Sequence, residues 1–181
     1  MIYMFLANGF EEVEALAPLD LLRRAGCDVT TVGVGGDTIV GAHGIAVGAD
    51  IPDTMFRDSK PEMIILPGGM PGTKHLDASR TVDAALRTAA NTGAYIAAIC
   101  AAPMVLGKRG YLQGKAAVCF PGFEEYLDGA VLQPKGINVA VDGKIITAVG
   151  MGVAIDFGLE LVEALKGKDV ASALRTAILA N

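Results

Sequence analysis

Short apolar runs alternate with amphipathic stretches over the first hundred residues of the chain. Four apolar runs have the length and composition of buried strands, at about 2–6, 28–34, 63–66 and 94–99. The spacing of apolar positions predicts helices at about 11–25 and 79–91, and two glycines among β-branched residues predict a hairpin at 38–47. This alternation predicts a mostly parallel sheet with helices on both faces.

The second half of the chain predicts a hairpin between helices. Asp142 and Gly143 separate two β-rich runs, at 138–141 and 144–149, which is the strongest hairpin signal in the chain. Three further helices are expected, at about 101–106, 154–165 and 169–179. Gly167 is a plausible C-cap for the second of them.

Length and composition limit the class of protein. With 181 residues, 52% of them hydrophobic, the chain fits one compact domain over residues 1–181. A net charge of −5 offers no basic field for a phosphate backbone, which argues against nucleic acid as a partner. No stretch reaches the ~18 apolar residues of a membrane span and no secretion signal is evident, so we expect a cytoplasmic protein without membrane contact.

The cysteines Cys27, Cys100 and Cys119 are odd in number and far apart, which favours reduced thiols over a disulfide framework. No CxxC or HxxxH spacing suggests a metal site. Neither the GxGxxG nor the GxxxxGK[ST] phosphate loop occurs. We therefore expect no metal and no cofactor.

Three unusual sequences each follow a predicted strand. They are residues 8–14 (NGFEEVE), residues 67–72 (PGGMPG) and the pair Cys100 and Ala101. In open α/β sheets ligands bind beyond the carboxyl ends of the strands. We therefore expect these three sequences to meet and to form one site.

Cys100 stands at an abrupt junction between a predicted strand and a predicted helix. Unpaired first-turn N–H groups and the helix dipole stabilise a thiolate there, so the position predicts a lowered thiol pKa and a reactive cysteine. The alternative is an inert core thiol, because free cysteine is among the most buried residue types. Core packing is the expected role of Cys27, whereas Cys119 could line the same pocket or act as a second thiol.

Glu14 lies one turn into the first predicted helix, behind Glu11 and Glu12. Acidic residues complement the positive end of the helix dipole, which is the simplest interpretation of all three. We expect Val13, Leu16, Ala17 and Leu21 to face the sheet, which would leave Glu14 partly buried near Cys100. Burial raises a carboxyl pKa, and a protonated Glu14 could then donate a hydrogen bond to a thiolate.

Gly68 and Gly69 either form a tight turn or allow a ligand to approach the backbone closely. In the second interpretation the N–H groups of Gly69 and Ala101 form an oxyanion hole. The chain has two histidines, His43 and His75, and neither adjoins Cys100 in sequence. Both are expected at the surface, although His43, in the predicted hairpin, could line a pocket.

Three segments together resemble the ThiJ/PfpI superfamily, and within it the DJ-one-like branch. They are residues 97–103 (AAICAAP), 66–69 (LPGG) and 9–14 (GFEEVE). The resemblance runs over nearly the whole chain, including residues 149–157 (VGMGVAIDF). It implies a flavodoxin-like three-layer α/β fold and a homodimer.

The resemblance also implies roles for single residues. Cys100 would be the reactive cysteine, Glu14 its protonated partner, and Gly69 and Ala101 the backbone donors. His43 lies where the family often carries a polar residue that borders the pocket. From their places in the sequence, Gly68, Cys119 and Phe120 are also expected to line the pocket. The chain departs from peptidase-type members, which have a histidine where it has Ala101, and from animal DJ-one-like members, which have a histidine where it has Phe120.

The function that the resemblance implies is glyoxalase- or deglycase-type chemistry on small reactive carbonyls, without a cofactor. Cys100 would attack an aldehyde, and Glu14 would carry the proton. A second hypothesis is a redox sensor or stress-response protein oxidised at Cys100. An amidase, peptidase or thiamine-pathway hydrolase ranks last, because no histidine follows the cysteine.

Overall fold

The computed structural model describes residues 1–57 and 60–180. Its strands are β1 (Ile2–Ala7), β2 (Val29–Val34), β3 (Thr38–Val40), β4 (Ala46–Gly48), β5 (Ile51–Pro52), β6 (Met63–Leu66), β7 (Tyr95–Ile99), β8 (Ala116–Ala117), β9 (Val131–Leu132), β10 (Val139–Asp142) and β11 (Ile145–Ala148). Its α-helices are α1 (Glu12–Arg24), α2 (Gly72–Ala78), α3 (Arg80–Thr92), α4 (Pro103–Gly107), α5 (Ala154–Lys166) and α6 (Lys168–Ala177). Of these helices, none combines the length and apolar character that crossing a membrane requires.

The central sheet has seven strands in the order β10-β11-β7-β6-β1-β2-β5. Every neighbouring pair is parallel except β10 with β11, which form the hairpin expected at Asp142 and Gly143. The second predicted hairpin is confirmed as the antiparallel pair β3 and β4, apart from the central sheet. The fold is the flavodoxin-like α/β arrangement expected from the sequence.

Two hydrophobic cores lie on the two faces of this sheet. Along β1, Phe5 packs into one core, and Met4 and Leu6 pack into the other, as the alternation of strand side chains requires. All six residues of β1 are buried. Burial on both faces explains why the parallel strands have continuous apolar sequences.

Helix α1 is rotated relative to our expectation. Val13 and Leu16, predicted to face the sheet, are 45% and 36% exposed, while Ala15, Leu19 and Leu22 pack into the core. The prediction was wrong because α1 carries apolar residues on more than one side, so spacing alone did not identify the buried side. The rotation leaves Glu14 buried and gives α1 an exposed apolar strip.

Helix α4 is the element whose start differs most from its prediction. It begins at Pro103 instead of residue 101, because Cys100 has a left-handed φ of 65° and the helix starts only after this bend. Proline suits the first position of a helix because its missing N–H would have no partner there. Cys100 therefore lies on a strained connection between β7 and α4.

Helices α1 and α5 pack closely at Gly158. A Cβ atom at this position would lie 2.7 Å from Leu21 Cδ1 and 3.0 Å from Pro18 Cα. We expect Gly158→Val to lower the free energy of unfolding by about 1–3 kcal/mol, because overpacking separates the helices. Urea denaturation measures this, with Ala173→Val on the exposed side of α6 as the control. Equal losses in both variants would contradict the close packing.

Candidate active site

Cys100 follows β7 directly, at the carboxyl edge of the sheet. Its N–H donates to Ala148 O at 2.9 Å, and its carbonyl accepts from the Phe120 N–H at 2.8 Å. Both bonds come from segments beyond α4, so distant parts of the chain hold the cysteine backbone in its left-handed conformation. The thiol is neither fully buried nor open to solvent.

Glu14 brings a carboxyl group to the cysteine from α1, and the residue is only 1% exposed. Its Oε2 accepts a hydrogen bond from the Gly68 N–H at 3.0 Å. Further hydrogen bonds join the carboxyl group to the Cys100 thiol and to the Met151 backbone. Burial outweighs these bonds and raises the pKa of Glu14 from 4.5 to about 7.

The thiol environment contradicts the expectation that the elbow lowers the pKa. Burial raises the pKa of Cys100 to about 12, and the negative charge of Glu14 adds to the effect. The N–H groups of Gly69 and Ala101 hydrogen-bond to the sulfur and oppose this rise without overcoming it. Helix α4 has only five residues and begins beyond the elbow, so its dipole is small.

Cys100 and Glu14 therefore form one titrating unit. Two adjacent negative charges in a buried site are unfavourable, so the pair retains one proton near neutral pH. When that proton moves to Glu14, the carboxyl group becomes a donor to the sulfur and no longer repels it. With pKa values of about 7 and about 12, that proton lies mainly on the sulfur, and its transfer to Glu14 gives the thiolate as a minor form.

The two glycines after β6 allow the pair to form. A Cβ atom at Gly68 would lie 2.6 Å from both Cys100 Cβ and Glu14 Oε2. Gly69 has a φ of +90°, and a Cβ there would collide with the Glu11 backbone. Gly68 thus leaves room for the thiol–carboxyl contact, and Gly69 turns its N–H toward the sulfur.

His43 lies outside this contact, on the loop between β3 and β4. Its backbone N–H donates to Glu12 Oε1 at 2.8 Å, and its ring Nδ1 lies 2.9 Å from Glu12 Oε2. Burial alone would raise the pKa of Glu12, but these bonds lower it to about 2. Glu12, expected only to complement the helix dipole, therefore ties the hairpin to α1.

Potential metal ligands lie together in the same region. Ligand atoms of Glu11, Glu12 and His43 all lie within 4.8 Å of one another. Both Glu12 oxygens are already engaged by His43, which accounts for the cluster as a loop anchor.

Phe120 and Cys119 lie in the wall of a cavity whose lining includes neither Cys100 nor His43. Cys119 is buried in the core that also contains Phe5, and burial raises its pKa to about 11. Cys100 packs instead against the other core. A resolving-thiol role for Cys119 gains no support from this placement.

Sequence reasoning missed Met151 as a partner of Glu14. A Cβ atom at the neighbouring Gly150 would lie 3.8 Å from Glu14 Oε1 and 3.3 Å from the Phe120 ring. Residues 150–153 therefore close one side of the site. The sequence did carry a signal for this contact, since Gly150 and Gly152 flank Met151 and glycine is favoured where the backbone closely approaches another group.

Comparisons with known proteins identify the family of the chain. The DJ-1/PfpI family model matches residues 1–164. "Protein DJ-1 homolog A" of Arabidopsis thaliana is 37% identical over 96% of the chain, which spans only 45% of that relative's length. "Glutathione-independent glyoxalase DJR-1.2" of Caenorhabditis elegans is 30% identical, with 91% of this chain and 87% of that protein covered.

A solved structure, "Toxoplasma gondii DJ-1, oxidized", matches with a TM-score of 0.93 at 34% identity. The match covers 98% of this chain and 97% of that one. The chain belongs to the DJ-1/PfpI family. The resemblance read from the three sequence segments is thereby confirmed.

A substitution at Gly68 tests the site's construction. We expect Gly68→Ala to separate Cys100 from Glu14 and to lower the free energy of unfolding by about 1–3 kcal/mol, because the new methyl group overlaps both side chains. Urea denaturation measures the loss, and Gly48→Ala, at an open glycine, is the matched control. An unchanged Gly68→Ala protein would show that the contact is looser than described.

Proposed function

We propose that the protein converts small 2-oxoaldehydes to 2-hydroxy acids, as a glyoxalase that needs no glutathione or other cofactor. The observation that carries the proposal is the buried hydrogen bond between the Cys100 thiol and a carboxyl group whose pKa is about 7. A proton carrier works best when its pKa lies near the working pH. A relative at 30% identity carries the name of this activity.

The first step forms a covalent adduct with the aldehyde. Cys100 transfers its proton to Glu14, and the sulfur attacks the aldehyde carbon. The carbonyl oxygen gains the negative charge and is held by the N–H groups of Gly69 and Ala101, which already point toward the sulfur. Glu14 then returns its proton to this oxygen, which leaves a neutral hemithioacetal and a free carboxylate.

The second step moves hydrogen between two carbons. The Glu14 carboxylate takes the proton from the carbon bound to sulfur, which gives an enediolate. The hydroxyl proton on that carbon passes to the oxygen of the neighbouring carbon, and Glu14 returns its proton to the neighbouring carbon itself. The product is a thioester of Cys100 with a 2-hydroxy acid. Water attacks the thioester, the C–S bond breaks, and the sulfur regains a proton, so the net reaction adds one water molecule.

A redox-sensing role is the second candidate. The N–H donors of Gly69 and Ala101 would also stabilise an oxidised, negatively charged sulfur. The raised pKa of Cys100 weighs on both candidates alike, because the thiolate is the form that reacts with peroxide and with aldehydes. The relative named as a glyoxalase favours the first candidate. Deglycase activity, the other carbonyl chemistry that the family resemblance implies, would use the same covalent adduct of Cys100 with a carbonyl carbon.

Amidase or peptidase activity has the least support. Both histidines have partners away from Cys100: His75 Nδ1 lies 2.8 Å from Asn8 O, and His43 bonds to Glu12. A Cys-His pair at Cys100 is therefore unsupported.

The free thiols fit a reducing compartment, so the cytoplasm stays our prediction for where the protein works.

The test of the glyoxalase proposal is lactate formation from methylglyoxal by the purified protein without glutathione. We expect Cys100→Ala to abolish the activity and Glu14→Gln to lower kcat by about 100-fold or more, because the proton carrier is lost. Glu163→Gln, which makes the same change at an exposed glutamate on α5, is the control and should keep most of the activity. Lactate formation that persists in Cys100→Ala would remove the mechanism.

We further propose that the protein forms a homodimer through the exposed apolar strip of α1. Val13 and Leu16 on α1 are exposed, as are Val40 and Ile45 on the neighbouring hairpin that Glu12 anchors. An exposed apolar patch of this kind marks an association surface. The family resemblance favours a second copy of the chain as its partner.

Light scattering after size-exclusion chromatography tests the dimer. We expect twice the chain mass for the unmodified protein and a monomer for Leu16→Asp, because a charge in an apolar interface is costly. Val141→Asp, at a residue 50% exposed on the sheet edge formed by β10, should remain dimeric. A monomeric unmodified protein would exclude the dimer. A dimeric Leu16→Asp variant would show that the interface lies elsewhere.

A further inference from the structure

A cavity of about 540 Å³ lies beside the candidate active site and has no role in the mechanism above. Three segments enclose it, residues 117–121, 132–138 and 149–153. Its volume falls within the range of small-molecule sites, roughly 300–1,000 Å³. It is therefore large enough for a ring or a branched alkyl group.

The wall of the cavity is mainly apolar. It includes Val118, Phe120, Leu132, Ile137, Val149 and Val153. Among its lining residues, all within the described part of the chain, the charged ones are Glu124 and Lys135, and both are exposed. An uncharged apolar group that binds here would bury apolar surface, which is favourable, and would leave no buried charge unpaired.

The cavity and the reacting groups share a boundary. Phe120 lines the cavity and donates its N–H to the Cys100 carbonyl. Gly150 also lines it, and a Cβ atom there would lie 3.8 Å from Glu14 Oε1 and 3.3 Å from the Phe120 ring. The rim of the cavity at Gly150 and Phe120 therefore lies next to the Glu14 carboxyl group.

Methylglyoxal is too small to use this space, because its substituent is one methyl group. We propose that the cavity binds the substituent of the carbonyl substrate, and that the preferred substrates are 2-oxoaldehydes with an uncharged aryl or branched alkyl group. This inference rests on the proposed glyoxalase function and specifies its substrate class. Phe120 provides an aromatic face against which such a group packs.

Phenylglyoxal and methylglyoxal form the test pair, with mandelate and lactate as the products measured. We expect kcat/KM for phenylglyoxal to exceed that for methylglyoxal by about tenfold or more, because an apolar pocket discriminates by the surface it buries. Ile137→Asp should lower this ratio by about tenfold, since it places a charge in the wall. Ile137 is 42% exposed and lies in a loop, so we expect the variant to fold.

Two further variants separate cavity binding from general damage. Leu132→Asp, at a residue 47% exposed on another wall, should lower the ratio in the same way. Val141→Asp, which introduces the same charge at an exposed apolar residue outside the lining, should leave the ratio unchanged. A ratio near one in the unmodified protein, or an equal fall in Val141→Asp, would overturn the inference.

A second measurement separates the cavity from the reaction. Bromoacetone and 2-bromoacetophenone alkylate thiols without turnover. Their carbonyl groups carry a methyl and a phenyl group, as those of methylglyoxal and phenylglyoxal do. The quantity compared is the alkylation rate with 2-bromoacetophenone divided by the rate with bromoacetone. We expect this ratio to be higher for Cys100 than for free cysteine, and we expect Ile137→Asp to remove the difference. If neither aldehyde is turned over, the glyoxalase proposal fails while this comparison still tests the aryl preference, and equal normalised rates would overturn it.

Discussion

The site depends on one buried hydrogen bond, between the Cys100 thiol and the Glu14 carboxyl group. Taking both groups out of water makes a doubly ionised pair costly, so the pair keeps a proton that an exposed carboxylate would have released. The same burial that makes the thiol a weak acid gives the carboxyl group a pKa suited to proton transfer.

The fold forms this contact from distant parts of the chain. Cys100 follows β7, Gly68 follows β6, and Glu14 comes from the helix that follows β1. These three strands are neighbours in the parallel sheet, so their carboxyl ends lie at one edge. The helix rotation that buries Glu14 also exposes Val13 and Leu16 on the same helix, which links the site to the proposed dimer surface.

Most of the architecture was predictable because each element carried its own local signal, from the apolar strands to Asp142 and Gly143 in the hairpin. The meeting of Glu14, Gly69 and Cys100 was also predictable, because parallel topology places strand ends together. The raised pKa of the Cys100 thiol was not predictable, because it depends on burial and on a neighbouring charge, and the spacing of residues in the sequence gives neither. Cys119 and Phe120 were expected to line a pocket, and both lie in the wall of the cavity. The rest of that wall was not predicted, because it comes from separate segments without a shared motif.

The most direct test of the account is a pH titration of the Glu14 carboxyl carbon by NMR, in protein labelled with ¹³C-glutamate and assigned with Glu14→Gln. The account predicts that this group keeps its proton far above the ordinary range, with a midpoint at about 7. The exposed glutamates in the same spectrum provide the internal reference. A Glu14 midpoint near the ordinary value of 4.5 would show that burial beside the thiol does not raise the pKa of this carboxyl group, and would contradict the central claim.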